Sequence, residues 1–177
     1  YTAVEDATKV PLHLSGEGAP AEPFVRSDIP KHRTNPDLGV KSVTYSSDLF
    51  IEGEDADDLH EGEEITLMDW GNVVVDTVTR DAATNHVTAV TAHMHLEGSV
   101  KDTKKKLTWL SAAAKARTIN IYEYDHLITA PKIPEDANWE DYVNRNSVVV
   151  TKAIGSPDLA TVKKGESLQR ERRGYFI

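Results

Sequence analysis

The segment GNVVVDTVT at residues 71–79, followed by HVTAVTAHMHL at residues 86–96, decides the fold. Both segments are rich in valine and threonine, which fit a pleated and half-buried surface. Most of the apolar periodicity along the chain is two residues, the period of a β-strand, rather than the 3.6 residues of a helix. The two segments therefore predict two strands, with Gly71 and Asn72 as a turn before the first of them.

Similar short runs recur along the rest of the chain. They occupy residues 39–45, 65–70, 107–110, 118–124, 147–150 and 167–169, and turn residues such as those at 35–37 and 155–158 separate them. Many short strands at this spacing indicate a barrel or a sandwich. Helix is predicted only over residues 55–61 and 139–143, since the alanine-rich segment 111–115 is too short to stand alone. The sequence therefore predicts an all-β fold with a few short helices.

The bulk composition limits the class of protein. A chain of 177 residues fits one ordinary domain or two small ones. It contains no cysteine, which excludes disulfides and zinc sites built on thiolates. No stretch approaches the roughly 20 apolar residues of a membrane-spanning helix. The chain begins with Tyr1 rather than methionine, so we expect it to be a piece of a longer protein.

The net charge of −9 is unevenly distributed. Residues 1–100 carry 6 Lys and Arg against 19 Asp and Glu, whereas residues 101–177 carry 14 against 10. The acidic residues concentrate between positions 48 and 64. Such a run is typical of a solvated surface, and the alternative of a calcium loop lacks the closing bidentate glutamate. The basic half favours contact with an anion.

No catalytic motif is present. The sequence contains neither a Gly-x-Ser-x-Gly nucleophile turn nor a glycine-rich phosphate loop. His93 and His95 share one face of a predicted strand, but a pair without a third ligand favours a surface role over a metal site. We therefore expect no catalytic residue, no metal site and no cofactor within these 177 residues.

A lysine-rich segment marks the change from the acidic to the basic half. Lys104, Lys105 and Lys106 precede a strand that contains Trp109. The segment is either a solvated loop or a site that contacts phosphates, where each lysine adds salt-sensitive affinity. For Trp70 and Trp109, apolar neighbours favour a place in the core over base stacking.

The end of the chain combines cationic, polar and aromatic side chains in the sequence LQRERRGYFI at residues 168–177. The amide of Gln169 and the guanidinium groups of Arg170, Arg172 and Arg173 can each form two hydrogen bonds to an anion or a nucleobase edge. A bend at Gly174 would allow Gln169 and Arg172 to converge. The alternative is a charged edge strand that discourages aggregation.

Six segments together resemble a known family. They are NPDLG (35–39), LMDWGN (67–72), LEG (96–98), KKKLTWL (104–110), YDHLI (124–128) and ERRGYF (171–176). In this order they resemble the C-terminal anticodon-binding region of glutamyl-tRNA synthetases of the eukaryotic and archaeal type. Glutaminyl-tRNA synthetases share this architecture and are the alternative, although the segments at 67–72 and 124–128 are more similar to the glutamyl branch.

The resemblance implies two tandem β-barrels, the first over residues 1–106 and the second over residues 107–177, with strands exchanged between them. It implies a cytoplasmic parent enzyme that ligates glutamate to its tRNA with ATP and Mg²⁺, in a catalytic domain elsewhere in the same polypeptide. The HIGH-like and KMSKS-like motifs of that domain are absent here. The expected partners are the tRNA for glutamate and the catalytic domain, not DNA or a membrane.

The resemblance also implies roles for particular residues. Gln169 and Arg172 match the family's pocket for the middle anticodon base, a uracil, which the start of the first barrel also lines. We therefore expect Tyr1 to lie near Gln169. Asp69 is a candidate for discrimination of the third anticodon base, because a carboxylate accepts from the amino group of cytosine, whereas guanine presents acceptors. The alternative role for Asp69 is a structural turn.

Two other classes of function stay open on the sequence. The acidic face could bind a basic protein partner, and a small barrel could bind RNA generically, as ribosomal proteins do. Binding that depends on the anticodon would separate the anticodon-recognition function from both.

Overall fold

The computed structural model describes residues 1–32 and 34–165. Strands dominate, so the expectation of a chain built mainly from β-structure is confirmed. The strands are β1 (Ala3–Glu5), β2 (Val10–Ser15), β3 (Phe24–Pro30), β4 (Val40–Tyr45), β5 (Asp48–Ile51), β6 (Glu64–Leu67), β7 (Gly71–Arg80), β8 (Val87–Met94), β9 (Lys106–Leu107), β10 (Leu110–Ser111), β11 (Arg117–Tyr124) and β12 (Val148–Gly155).

Helical structure is short, as predicted. The helix α1 spans Gly53–Asp57, where the sequence predicted a helix over residues 55–61. Three single 3₁₀ turns occupy Pro36–Leu38, Trp139–Tyr142 and Pro157–Thr161. The second of these replaces the predicted helix at 139–143. No helix in the described part of the chain is both long and apolar enough to cross a membrane.

The largest sheet contains seven strands in the order β10-β5-β2-β8-β7-β6-β9. Its central hairpin joins β7 and β8, which confirms the two strands predicted there, although Gly71 and Asn72 belong to β7 rather than to a turn before it. Most neighbours are antiparallel, but β2 runs parallel to β8 and β9 runs parallel to β6. The register of β7 and β8 shifts between Val75 and Thr77, which marks a bulge. Bulges bend a strand and increase its twist, in keeping with the curled, half-barrel shape of this sheet.

The core lies on the inner face of the seven-stranded sheet. Strand β2 alternates strictly, with Val10, Leu12 and Leu14 buried between exposed neighbours. The fully buried side chains of the adjacent strands, Leu49, Ile51, Ile65, Leu67, Val73, Val75 and Val90, pack in the same cluster. Burial of one such side chain contributes about 1.5–3 kcal/mol, so this cluster supplies the main stabilisation of the first half.

Two smaller sheets accompany the seven-stranded sheet within residues 1–32 and 34–165. Strands β3 and β4 form a two-stranded ribbon, and β1, β12 and β11 form a three-stranded sheet in the order β1-β12-β11. The first strand of the chain therefore pairs with the last strand described, with Ala3 opposite Gly155. The short strands β9 and β10, at residues 106–111, belong to the seven-stranded sheet.

Candidate nucleic-acid interface

The turn between β6 and β7 is the best-defined polar feature near a pocket. Asp69 adopts a left-handed backbone conformation with φ of +60°, which aspartate and asparagine tolerate better than most residues. Trp70 donates its backbone N–H to the carbonyl of Leu67 at 3.1 Å, which closes the turn. Within the turn Asp69 is exposed to solvent, where a ligand can meet it, whereas Met68 and Trp70 are half-buried.

Two buried aromatic side chains hold this turn in place. The Tyr45 hydroxyl donates to the Asp69 carbonyl at 3.1 Å, and the Trp109 Nε1–H donates to the Met68 carbonyl at 2.8 Å. Tyr45 is 2% exposed and Trp109 is 6% exposed. Two consecutive carbonyl groups of the turn are therefore fixed by donors from the core.

The same aromatic side chains form a cluster. The ring of Tyr45 packs against Trp70 at 4.9 Å and against Trp109 at 5.2 Å, and the two tryptophans are 4.8 Å apart. Phe24 stacks on the outer side of Tyr45 at 5.1 Å. Trp109 belongs to the core cluster and Trp70 packs against it, so the predicted core role of both tryptophans is confirmed. The partly exposed edge of Trp70 also faces a pocket.

This pocket of about 270 Å³ lies beside the β6–β7 turn. Its walls come from β6, the turn, the loop before β9 and the start of β9. The lining residues are Thr66, Leu67, Met68, Asp69, Trp70, Gly71, Val100 and Lys106. An indole, a carboxylate and an ammonium group at one opening can stack on a planar ring, accept a hydrogen bond and donate one. The structure thus brings together two of the residues singled out in the sequence, Asp69 and Lys106.

The three consecutive lysines are not equivalent. Lys106 lines the pocket, and its ammonium group donates to the hydroxyl of Thr103 at 3.1 Å. Lys105 instead forms an ion pair with Glu63 at 2.8 Å and bonds to the Asp58 carbonyl, within the acidic segment. Lys104 is exposed to solvent. Lys105 is therefore held by the acidic segment, whereas Lys104 is exposed to solvent and Lys106 lines the pocket.

Lys41 is a lysine that the sequence analysis did not single out. It is 7% exposed and lines a small cavity with Thr2, Val43, Met68, Asp69 and Trp109. A signal was available, because Lys41 shares its face of strand β4 with Val43 and Tyr45. A lysine on the inward face of an amphipathic strand is unusual, since lysine side chains are mostly exposed.

The two histidines considered as metal ligands have separate partners. The Nδ1 atom of His93 lies 2.6 Å from Asp76, and that of His95 lies 2.8 Å from Glu64. Hydrogen bonds from Asn72 and then from His95 lower the pKa of Glu64. Among the residues described, no group of three histidine or acidic side chains converges to hold a metal ion.

The terminal cluster of Gln169, Arg170, Arg172 and Arg173 lies outside the described residues. The expected proximity of Tyr1 to Gln169 therefore stays a prediction. Tyr1 itself is 8% exposed, and it precedes Thr2 at the wall of the Lys41 cavity.

Comparison with known proteins agrees with the segments quoted above. Two family models, each described as the anticodon-binding domain of class I tRNA synthetases (E and Q), match residues 1–95 and 106–177. A probable cytoplasmic glutamate–tRNA ligase of Dictyostelium discoideum is 40% identical over 99% of the chain and 23% of its own length. The cytoplasmic glutamate–tRNA ligase of Arabidopsis thaliana is 40% identical over 99% of the chain and 24% of its own length.

A third relative extends this pattern to a larger protein. The bifunctional glutamate/proline–tRNA ligase of Mus musculus is 38% identical over 85% of the chain and 10% of its own length. The chain thus spans about a quarter of the two plant and amoebal relatives and a tenth of the mouse protein. Since the family models match almost all of the sequence, the chain belongs to the family of anticodon-binding domains of class I tRNA synthetases of the E and Q type.

Proposed function

We propose that this chain is the anticodon-recognition module of a glutamyl-tRNA synthetase. The observation that carries the proposal is the meeting of Asp69, Trp70 and Lys106 at one pocket in a chain of this family. The three relatives described above are named as ligases of glutamate to tRNA, and the mouse protein is named for proline as well. The partner is the tRNA for glutamate, whose anticodon loop presents unstacked bases that a protein can contact individually.

The rest of the proposal concerns the parent enzyme. A catalytic domain in the same polypeptide would activate glutamate with ATP and Mg²⁺ in the cytoplasm, and this module would add binding and discrimination. The seven-stranded sheet would form most of a first barrel over residues 1–106, and the β11–β12 hairpin would begin a second barrel over residues 107–177. The module would contribute no catalytic group and would bind neither DNA nor a membrane.

Two sets of residues would contact the anticodon. Gln169 and Arg172 would bind the middle base, a uracil, through the amide and the guanidinium group, with Arg170 and Arg173 adding positive charge. At the pocket, Asp69 would accept from the amino group of a cytosine, and Lys106 would donate to an RNA oxygen. Lys104 would contact a phosphate from its exposed position.

The test of anticodon recognition is a titration of the chain into labelled glutamate tRNA and into a copy with the middle anticodon base changed. The native tRNA should bind more tightly, and Gln169→Ala and Arg172→Ala should each remove this preference. Arg145→Ala, which removes an exposed arginine near the end of the β11–β12 hairpin, is the control for charge and should keep it. Each measurement is made at two salt concentrations, because phosphate contacts weaken with salt.

Three results would contradict the proposal. Equal, salt-sensitive binding to both RNAs would favour generic RNA binding, and an absence of RNA binding would favour a protein-interaction domain. Preference for glutamine tRNA would indicate the glutaminyl branch.

The role proposed for Asp69 has its own test. Asp69→Asn keeps the size of the side chain and tolerates the left-handed backbone, but it replaces one acceptor oxygen with a donor. Discrimination between glutamate and glutamine tRNAs, which differ at the third anticodon base, should fall by about 5- to 150-fold, the value of one good base contact. Unchanged discrimination would leave Asp69 with a structural role only.

A further inference from the structure

A continuous chain of hydrogen bonds connects the pocket to the outer face of the seven-stranded sheet. Thr103 lies 2.5 Å from Thr66 between their hydroxyl oxygens, and the Thr66 hydroxyl donates to the Asn72 side-chain oxygen at 2.8 Å. The Asn72 amide nitrogen then donates to Glu64 at 2.8 Å, and Glu64 also contacts His95. Asn72 is fully buried, and Thr66 and Thr103 are 5% and 6% exposed.

The direction of every bond in this chain is determined. Glu64 only accepts, because a glutamate carboxyl is ionised at neutral pH, so the nitrogen of the Asn72 amide must face it. The Asn72 oxygen therefore faces Thr66 and accepts a hydrogen bond from the Thr66 hydroxyl. Because the Thr66 hydrogen is committed, Thr103 must donate its own hydrogen to Thr66.

The same reasoning extends to Lys106. The Thr103 hydroxyl has a second possible acceptor, the Val100 carbonyl at 3.3 Å, but the bond to Thr66 is much shorter. With its hydrogen directed to Thr66, the Thr103 oxygen presents a lone pair to the Lys106 ammonium at 3.1 Å. The Thr103 backbone carbonyl accepts a second ammonium hydrogen. Two of the three N–H groups of Lys106 are thus engaged by one residue.

The chain of donors is polarised from a cation to an anion. It begins at the Lys106 ammonium and ends at the Glu64 carboxylate, with each hydroxyl donating in the same sense, so the bonds strengthen one another. A lysine side chain is otherwise flexible and carries about 2 kcal/mol of rotamer entropy. Thr103 removes much of this freedom before any ligand arrives, which is how preorganisation improves affinity.

We propose that Thr103 is a positioning residue that aims the third N–H of Lys106 at an RNA oxygen in the pocket, and that Thr66, Asn72 and Glu64 fix Thr103 for this task. This inference rests on the proposed function, because it assigns a partner to Lys106 within the tRNA site. The ligand group is an oxygen of the RNA, either a base carbonyl or a phosphate.

The surroundings of Gly98 show that little space is left around the end of the hydrogen-bond chain at Glu64. A Cβ atom at this position would lie 2.0 Å from the Glu64 oxygen, 2.7 Å from the Asn72 amide nitrogen and 3.0 Å from His95. Gly98→Ala would therefore displace the far end of the chain without removing any polar atom of it. Lys106 and Thr103 themselves would be unchanged. This variant therefore tests whether a displacement of Glu64 and Asn72 alters the position of Lys106 through the hydrogen-bond chain.

The test is a double-mutant cycle on the binding of the whole polypeptide to glutamate tRNA. Thr103→Val removes the hydroxyl at nearly constant volume and should weaken binding by about 2- to 12-fold, the effect of one hydrogen bond. In the Lys106→Ala background the same change should have no further effect, because there is no ammonium left to position. Thr103→Ser, which restores the hydroxyl, should restore affinity.

Thr91→Val is the matched control. Thr91 shares a 2.8 Å hydroxyl contact with Thr77 on the exposed face, so the variant also loses a bond between threonines, and its affinity should not change. Gly98→Ala should reproduce the Thr103→Val loss in the wild-type background alone. It provides the same test if Thr103→Val does not fold, as judged by near-ultraviolet circular dichroism.

The outcomes separate the two proposals. Suppose that the wild-type polypeptide binds glutamate tRNA. If Thr103→Val then changes the affinity equally in the wild-type and Lys106→Ala backgrounds, or if Thr103→Ser does not restore the affinity, the positioning role is overturned and the proposed function stays intact. Failure of the wild-type chain to bind glutamate tRNA would overturn both.

Discussion

The hydroxyl of Tyr45 is the smallest change that tests how the β6–β7 turn is held. This hydroxyl donates to the carbonyl of Asp69, whose backbone lies in the left-handed region. Tyr45→Phe deletes one oxygen and keeps the ring in contact with Phe24, Trp70 and Trp109. Any loss of stability therefore measures the contacts of the hydroxyl, which include Arg26 as well as the Asp69 carbonyl, rather than the packing of the cluster.

The expected magnitude follows from the burial of the two groups. A net hydrogen bond contributes about 0.5–1.5 kcal/mol to the free energy of unfolding. Tyr45 is 2% exposed, so there is little room for water to take the place of the Tyr45 hydroxyl when it is removed. We expect a loss of about 1 kcal/mol and, for a chain of this size, a fall in Tm of about 2–4 °C. Tyr45→Ala, in contrast, should cost about 3–5 kcal/mol, because it also leaves a cavity.

The assay is urea unfolding followed by tryptophan fluorescence, which Trp70 and Trp109 make sensitive to this region. Tyr124→Phe is the control, because Tyr124 is 77% exposed and loses a hydroxyl of the same kind. A loss for Tyr45→Phe no larger than that of the control would show that the hydroxyl does not hold the turn. A loss as large as that of Tyr45→Ala would show that the ring, not the hydrogen bond, had been disturbed.

Two further predictions concern charge. The Val87 N–H and His86 lower the pKa of Asp57, so the stability that this carboxylate contributes is present above its ordinary pKa of 3.8 and is lost as the pH falls through the lower folded value. Asp57→Asn should flatten this acid loss in urea titrations below pH 4, whereas the exposed Asp136→Asn should not. Lys104→Ala should reduce the salt dependence of tRNA binding by about 0.7–0.9 in slope. Lys105→Ala should leave that slope unchanged and cost about 0.2–1 kcal/mol of stability, because its partner is Glu63.

Long, β-branched strands were predictable from sequence, and strands with mixed composition were not. Strands β7 and β8 follow directly from their runs of valine and threonine, whereas their pairing was not predicted. Strand β2 contains Pro11, which lacks a backbone N–H, and it escaped prediction even though its apolar residues alternate strictly. Strand β5 begins inside the acidic run at Asp48, where composition favoured a solvated surface. Pairing with central neighbours, not local propensity, decides both strands.

The candidate site was predictable only in part. Asp69 stood out through the resemblance of residues 67–72 to the family, and Lys106 stood out as part of the run of lysines at residues 104–106. Thr66, Asn72 and Thr103 did not, since threonine and asparagine within or near strands are ordinary. Their role depends on contacts between residues as many as 37 positions apart, which no local pattern contains.

The pairing of β1 with β12 has a consequence for synthesis of the protein. Ala3 lies opposite Gly155, so about 150 residues must leave the ribosome before the first strand can meet its partner. At about 5–20 residues per second, this interval lasts roughly 8–30 s. The seven-stranded sheet can assemble earlier, because its strands end at Ser111. Strand β1, although translated before the other described strands, is thus among the last of them to find a partner on the nascent chain.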